Sequence, residues 1–401
     1  MTHQSCADDI CRSDESRSAW LAVASLALGS FSLVTAEFLP ASLIPAIATD
    51  LSISPGLAGQ TVTATAAIAA FAGPGIVVGA RRLDRRVVLL SLSLLLVISS
   101  LIAATASGFA LLLLARLLLG VALGGFWALS AAFAMRLVST DNLPRAMAIV
   151  MAGVSVATVC AAPLGAWIGN LLGWRSAFAL TAGLGIIALT IQALTVPAMP
   201  PAGHAGFATM ARLFRRPALR TLLLVIVFAV AGHFAGFTFI RSYLDEVIRL
   251  DVTNVSLVLL AFGIAGFFGN MAGGAVSARS SSLSLGLAAG LIALAAATMA
   301  LSASIPALAI AAVAVWGFGF GAFPVSVQSR ITRIASDEVE SAGAVMLTTF
   351  QVAISAGAII GGLLVDAIGP IGVISFAGAA TALGAFMMMA GTSRQAAEDA
   401  A

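Results

Sequence analysis

Apolar residues occupy most of this chain in long runs, and short charged or polar segments separate the runs. A helix needs about 20 residues to cross the roughly 30 Å hydrocarbon core of a bilayer. Twelve runs reach that length: 19–45, 56–80, 87–107, 109–135, 146–169, 176–196, 221–242, 252–278, 283–303, 305–329, 341–365 and 370–390. Barrel strands would be about ten residues long and alternating. The pattern therefore predicts an all-α integral membrane protein with twelve transmembrane helices in two six-helix bundles.

The longest polar connection divides the twelve runs into six plus six. The expected organisation is a tail at 1–18, a first bundle at 19–196, a linker at 197–218, a second bundle at 219–391 and a tail at 392–401. The linker is expected to form a short interfacial helix whose arginines face lipid headgroups. Two boundaries carry no charge, Ser107-Gly108 and 302–304, and they fall at the same place in each half.

Arginine placement predicts the orientation, because basic residues concentrate in cytoplasmic segments. If the N-terminus is cytoplasmic, the opposite side carries only Arg175, Arg241 and Arg249, whereas sixteen arginines lie in the tails and in the even-numbered connections. We therefore expect a multi-pass protein of the cell (inner) membrane with both termini in the cytoplasm.

Composition excludes several classes of protein. The chain is 60% hydrophobic and 9% charged, whereas soluble domains are about a quarter charged. A soluble enzyme or a nucleic-acid binder is therefore excluded. The chain contains no lysine, so neither a P-loop nor a lysine Schiff base can form. Its three cysteines, Cys6, Cys11 and Cys160, are expected to be free thiols, and we expect no metal or cofactor.

An internal repeat is visible at an offset of 197 residues. The segment Gly120-Val-Ala-Leu-Gly-Gly-Phe126 aligns with Gly317-Phe-Gly-Phe-Gly-Ala-Phe323. With a shift of one residue, Glu37-Phe38 aligns with His233-Phe234. Parallel repeats around a central axis are a known transporter plan, with the substrate site near the midplane between the halves. The repeat therefore favours a transporter over a channel.

Charged residues inside membrane spans are costly and are functional candidates by default. Glu37 lies in the middle of the first span, where burial disfavours its ionised form. It could carry a proton from one side to the other, or it could be a structural carboxylate bound to a neighbouring helix. Arg116, in the fourth span, could couple to Glu37 or be held by backbone carbonyls.

Other polar and aromatic residues could line a substrate site. His233 could face a cavity or be a core residue bonded to a carbonyl, and Arg241 lies two turns later. Gln60 and Gln351 could contact a substrate or link helices. Trp127, Phe237 and Phe323 could stack on a planar ligand, although aromatic residues in such spans mostly serve packing.

Three motifs resemble the major facilitator superfamily, in particular its twelve-span drug:proton antiporters. Arg116-Leu-Leu-Leu-Gly120 looks like the fourth-span pattern whose arginine is implicated in proton coupling. Pro163, Gly165 and Gly169 look like the fifth-span pattern of exporters. The loop 79–86, with Asp84 and Arg85, resembles the gating loop between spans two and three. There the glycine stands one residue early relative to Asp84.

Within that group the chain resembles exporters of purine ribonucleosides. The segments that carry this likeness are 37–40, 59–63, 119–128 and 237–241. Exporters of arabinose-type sugars and of chloramphenicol or several drugs share part of these segments. The resemblance implies a monomeric, proton-coupled exporter of a small neutral solute, with Glu37 and Arg116 in coupling. A signalling protein and a passive facilitator are the alternatives from other classes.

Overall fold

The computed structural model describes residues 3–80, 82–139, 142–200, 212–302 and 304–398. Within these residues eleven helices are long and apolar enough to cross a membrane, and the last of them, Ser341–Ala390, is 50 residues long. The helices are α1 (His3–Leu51), α2 (Pro55–Gly79), α3 (Arg85–Ala104), α4 (Phe109–Leu137), α5 (Leu143–Leu172), α6 (Trp174–Thr195), α7 (Pro217–Thr238), α8 (Val252–Arg279), α9 (Ser281–Leu301), α10 (Pro306–Ile334) and the run Val339–Glu398.

The final helical run contains two spans because Gly369 breaks it. This glycine has φ 77° and ψ −180°, a conformation that glycine adopts without the penalty of a Cβ. We call the two parts α11 (339–368) and α12 (370–398). Gly173, between α5 and α6, has φ 83° and ψ 154° and makes the equivalent turn in the first half. With α11 and α12 separated, the predicted all-α fold with twelve membrane helices is confirmed.

The starts of equivalent helices reproduce the sequence repeat. Helix α2 begins at Pro55 and α8 at Val252, and α4 begins at Phe109 and α10 at Pro306. Each pair is separated by the same 197 residues that the sequence alignment indicates. The two halves therefore share their helix plan as well as part of their sequence.

The seventh helix ends earlier than the apolar run from 221 to 242 predicts. Helix α7 stops at Thr238, because Phe239 has φ −110° and ψ 16°. A short helical turn, Ile240–Ser242, and a π-helical turn, Tyr243–Val247, follow. Arg241 therefore lies in an irregular segment beyond the helix. Hydropathy cannot detect this ending, since the residues on both sides of Phe239 are equally apolar.

Helices pack within each half and across the seam between the halves. In the first half α1 packs on α5, α2 on α4 and α3 on α6; in the second, α7 packs on α11 and α12, and α8 packs on α10. Across the seam, α2 packs on α11 and α5 on α8. Residues 201–211, where the interfacial helix is expected, lie outside the described residues. The domain limits stay a prediction.

Candidate functional site

Glu37 lies on α1 at the seam between the halves. It is partly exposed, although it sits in the middle of a membrane span. Its carboxylate interacts with the side chains of Arg116 on α4 and Gln351 on α11. The acid therefore has one partner in its own half and one in the other half. This position lets a change in its charge affect the contact between the halves.

Backbone carbonyls hold Arg116, which is 1% exposed. Its Nη1 donates to the Ala36 carbonyl at 2.9 Å, and its Nε donates to the Thr61 carbonyl at 3.2 Å. Its Nη2 lies 3.5 Å from the carbonyl oxygen of Glu37. The guanidinium thus binds the backbone of α1 and α2, and its charge acts on the Glu37 carboxylate without a direct ion pair within 4.0 Å among the described residues.

Gln351 supplies the contact from the second half. Its side chain is 4% exposed, and its Oε1 atom has no hydrogen-bond partner among the described residues. Buried polar atoms are usually paired, so an unpaired acceptor requires an explanation. Next to the carboxylate of Glu37, the free acceptor can receive a hydrogen bond from a proton on the acid or from a bound solute.

Aromatic rings close the seam beside Glu37. The ring of Phe38 stacks on Phe234, with centroids 6.0 Å apart and planes 13° apart. Phe38 also meets Phe237 edge to face at 5.9 Å. Phe38 and Phe234 are the partners that the sequence repeat aligns. The repeat-related phenylalanines therefore contact each other across the seam. Glu37 precedes Phe38, so its carboxyl group lies next to an apolar contact between the halves.

His233 lies inside the second half and is 1% exposed. Its Nδ1 accepts a hydrogen bond from Trp316 Nε1 at 2.8 Å. Its ring stacks on Phe320 at 3.5 Å and on Phe237 at 5.3 Å. Its Nε2 has no partner among the described residues. In this conformation the imidazole is therefore a core residue, bonded to an indole rather than to a carbonyl.

The other candidate binding residues have protein partners. Gln60 Nε2 lies 3.4 Å from the Gly56 carbonyl oxygen of its own helix. Arg241 donates to the Ser42 carbonyl and, at 3.3 Å, to Asp245. Trp127 packs edge to face on Phe126 at 6.0 Å, and Phe323 packs on Phe350 at 6.3 Å. The structure brings Glu37, Arg116 and Gln351 together, and Phe237 lies against Phe38 beside them. Trp127 is partly buried against a cluster of the first half, whereas the buried cluster around Phe323 also includes residues of α2 from the first half.

The residues of the gating loop lie at the start of α3. Asp84 accepts hydrogen bonds from the Met199 N–H at 3.0 Å and from the Arg86 N–H at 2.7 Å. The bond from Met199 is the main cause that lowers the pKa of Asp84 below its usual value. Arg85 donates to the Ala80 carbonyl. In this conformation the loop is tied to the start of the linker.

The residues of the fifth-span motif lie where α5 crosses α1. Pro163 is buried within α5. A Cβ added to Gly165 would collide with Ser42 and Leu39, and one added to Gly169 would collide with Leu43. Small residues thus allow the two backbones to approach closely.

Several residues that matter to these contacts escape sequence reasoning. Trp316 and Phe320 hold His233 from a helix about 85 residues away, and nothing in their local sequence indicates this. Asp366 near the end of α11 bonds to Ser54 at 2.6 Å across the seam. Asp366 does carry a sequence signal, because it is an acid directly after the apolar run 341–365, at the border of a predicted span.

Comparison with known proteins agrees with this architecture. Residues 26–358 match the description of the Major Facilitator Superfamily. The chain is 38% identical over 354 residues to the purine ribonucleoside efflux pump NepI of Escherichia coli O6:K15:H31 (strain 536 / UPEC), covering 88% of this chain and 89% of that one. It is also 38% identical to NepI of Shigella sonnei (strain Ss046), covering 94% of this chain and 95% of that one.

A solved structure shares the fold. The nucleoside transporter NupG superposes with a TM-score of 0.75 at 14% identity, covering 92% of this chain and 99% of that one. At that identity the likeness concerns the fold alone. The family match covers most of the chain, and the relatives cover nearly all of it. The protein is therefore a membrane transporter, not an enzyme, and the chain belongs to the Major Facilitator Superfamily.

Proposed function

We propose that this transporter exports purine ribonucleosides in exchange for protons, by alternating access. The substrate assignment is supported by relatives that are 38% identical over almost the whole chain and are called purine ribonucleoside efflux pumps. Both termini are proposed to lie in the cytoplasm, and the working unit is proposed to be a monomer in the bilayer.

The observation that carries the proton coupling is the position of Glu37. A partly exposed carboxylate in mid-span interacts with the charge of an arginine in its own half and with an amide side chain of the other half. Protonation removes its charge and with it the attraction to Arg116. When Glu37 is ionised, the Gln351 amide can donate to it; when Glu37 is protonated, the free Oε1 of Gln351 can accept. Binding and release of a proton at Glu37 therefore change the interactions between the two halves, which couples proton transfer to their movement.

The entry of one proton releases enough free energy to drive the export of one neutral solute against a concentration gradient. One charge that crosses 100 mV releases about 2.3 kcal/mol. A tenfold concentration gradient costs about 1.4 kcal/mol. One proton per solute can therefore sustain an outward gradient of order tens-fold for a neutral nucleoside. No other energy source is needed, and the absence of lysine from the chain excludes a P-loop.

Substrate contact is assigned first to Gln351, which interacts with Glu37, and to Phe237, which contacts the neighbouring Phe38. Gln351 offers a free acceptor, and Phe237 offers a ring at the seam. Second-rank proposals for substrate contact are Gln60, Trp127, His233, Arg241 and Phe323. The motif residues Asp84, Arg85, Pro163, Gly165 and Gly169 are proposed to serve gating and helix movement.

Uptake into inverted membrane vesicles tests the proposal. Labelled inosine, arabinose and chloramphenicol are offered to vesicles with and without the transporter, each with and without an uncoupler. Inosine is expected to accumulate only with the transporter and to lose accumulation with the uncoupler. Accumulation of arabinose or chloramphenicol instead of inosine would contradict the proposal that the substrate is a purine ribonucleoside. Inosine accumulation that is unchanged by the uncoupler would contradict the proposed coupling to protons.

A further inference from the structure

The first turn of α2 is capped from the opposite half of the molecule. Asp366 on α11 accepts a hydrogen bond from the Gly56 N–H at 2.9 Å. Its second carboxylate oxygen accepts one from Ser54 Oγ at 2.6 Å, and Ser54 Oγ in turn accepts from the Leu57 N–H at 3.1 Å. The first N–H groups of a helix have no partner within the helix, and a carboxylate there also satisfies the helix dipole.

The equivalent helix of the second half is capped locally. Helix α8 begins at Val252, and the residue before it, Asp251, accepts from the Asn254 N–H at 3.0 Å. The repeat therefore uses an acid at both helix starts. In α8 the acid belongs to the same helix, whereas in α2 it comes from the other half. A local cap is unaffected when the halves move apart, but a cap across the seam must break.

We propose that Asp366 is a positioning residue for alternating access, which holds the two halves together at the end of the molecule predicted to face outward. The carboxylate remains in contact with solvent, so water can replace its bonds once the halves separate. A second cross-seam bond lies at the same end, from Arg241 to the Ser42 carbonyl. The inference rests on alternating access but on neither the substrate nor the proton.

The alternative is that Asp366 merely stabilises α2. A purely structural cap would change the stability of the protein and leave the balance of conformations unaltered. A cap across the seam must shift that balance, because it exists only while this end is closed. Loss of a helix cap typically costs enough for an effect of about fivefold on an equilibrium. The distance between the halves at this end is therefore the decisive measurement.

Double electron–electron resonance on the full chain makes that measurement. Spin labels are attached through Leu172→Cys and Leu301→Cys, after serine has replaced the three native cysteines. Leu172 is 73% and Leu301 is 86% exposed, at the ends of α5 and α9. Asp366→Ala, which removes both acceptor oxygens, is expected to raise the ratio of long to short distances about fivefold. The matched control, Asp251→Ala in the local cap of α8, is expected to leave the ratio within about twofold.

Ser54→Ala provides a second test that removes one donor and keeps the acid. It is expected to shift the ratio in the same direction by a smaller factor, and it decides the question if Asp366→Ala does not fold. An unchanged distance distribution in the folded Asp366→Ala variant, or equal shifts in Asp366→Ala and Asp251→Ala, would overturn the proposal. The measurement needs no substrate and no gradient, so it stands apart from any failure of the proposed purine export.

Discussion

The repeat places Glu37 of the first half opposite His233 of the second, and the two residues have different surroundings. Glu37 is partly exposed at the seam, beside Arg116 and Gln351. His233 is 1% exposed, bonded to Trp316 and stacked on Phe320. The neighbouring phenylalanines, Phe38 and Phe234, nevertheless stack on each other. The duplication has thus kept the scaffold and its apolar contact, while only one of these two repeat-related residues, Glu37, places its titratable group at the seam.

Removal of Arg116 is expected to have the largest effect on stability. Arg116→Ala removes the guanidinium that donates to backbone carbonyls of α1 and α2 and leaves Glu37 without a nearby cation. A hydrogen bond to a charged group contributes about 1.5–3 kcal/mol, so the loss of two is expected to cost at least about 3 kcal/mol. Thermal unfolding in detergent measures the change. Arg175→Ala is the comparison at an exposed site: the Arg175 side chain is 36% exposed, pairs with Asp50 at 2.7 Å and donates to one backbone carbonyl at 2.9 Å. Exposed pairs contribute about 0–1 kcal/mol, so a smaller loss is expected. Equal losses of stability in the two variants would contradict the claim that buried backbone carbonyls make Arg116 important for stability.

Truncation of His233 is expected to have the next largest effect. His233→Ala removes a ring from the stack with Phe320 and leaves a cavity, at a cost of about 2–4 kcal/mol. His233→Phe keeps a ring and loses only the acceptor for Trp316, at a cost of about 1–3 kcal/mol. Transport by His233→Phe is expected to stay within about threefold of the parent, since the ring serves packing. Flux through reconstituted vesicles checks this. Loss of transport in a folded His233→Phe variant would show that the imidazole, like the carboxylate of Glu37, takes part in transport.

The exposed pair between the linker and the loop after α10 is expected to have the smallest effect. Arg216 donates to Asp337 at 2.6 Å, and this bond is the main cause that lowers the pKa of Asp337 to about 2. The native pKa lies below the unfolded value of about 3.9, so the stabilisation is complete above that value and is lost as the pH falls toward 2. Asp337→Asn is expected to lower the Tm by at most about 2 °C.

The pH dependence of that small difference is a sharper test than its size. Because Asp337 stays ionised between pH 7 and pH 5, the difference in Tm between the parent and Asp337→Asn should be the same at both values. A difference that disappears by pH 5 would show that the pair does not hold the pKa low. Like the Arg175 control, this pair lies away from the seam and tests contacts within one half.

Hydropathy was sufficient to predict the helices, because each span must be about 20 apolar residues long whatever its neighbours are. The same reasoning finds Glu37, since an acid in mid-span is conspicuous. It cannot identify particular partners. The sequence offers backbone carbonyls as one possibility for Arg116, but no side-chain pattern shows that carbonyls of α1 and α2 hold it. The bond from Trp316 to His233 joins residues 83 positions apart. Such contacts depend on helix rotation and packing.

The early end of α7 shows the same limit. The run through Phe239 is apolar on both sides, yet the helix stops at Thr238. The ring of Phe239 packs against Gly59 of α2, so the path of the chain depends on a helix of the other half. Long-range packing of this kind overrides a local pattern. Residues such as Arg241, which follow the break, cannot be positioned from hydropathy.

The most direct test of the account is transport by Glu37→Gln in proteoliposomes. Gln keeps the size of the side chain and removes the titratable group. We predict that accumulation of inosine driven by a pH gradient falls at least about tenfold, while exchange of inosine for inosine without a gradient persists. Glu246→Gln, at an exposed carboxylate beyond α7, should retain both activities. Accumulation driven by the pH gradient that persists in a folded Glu37→Gln variant would contradict the central role of this acid.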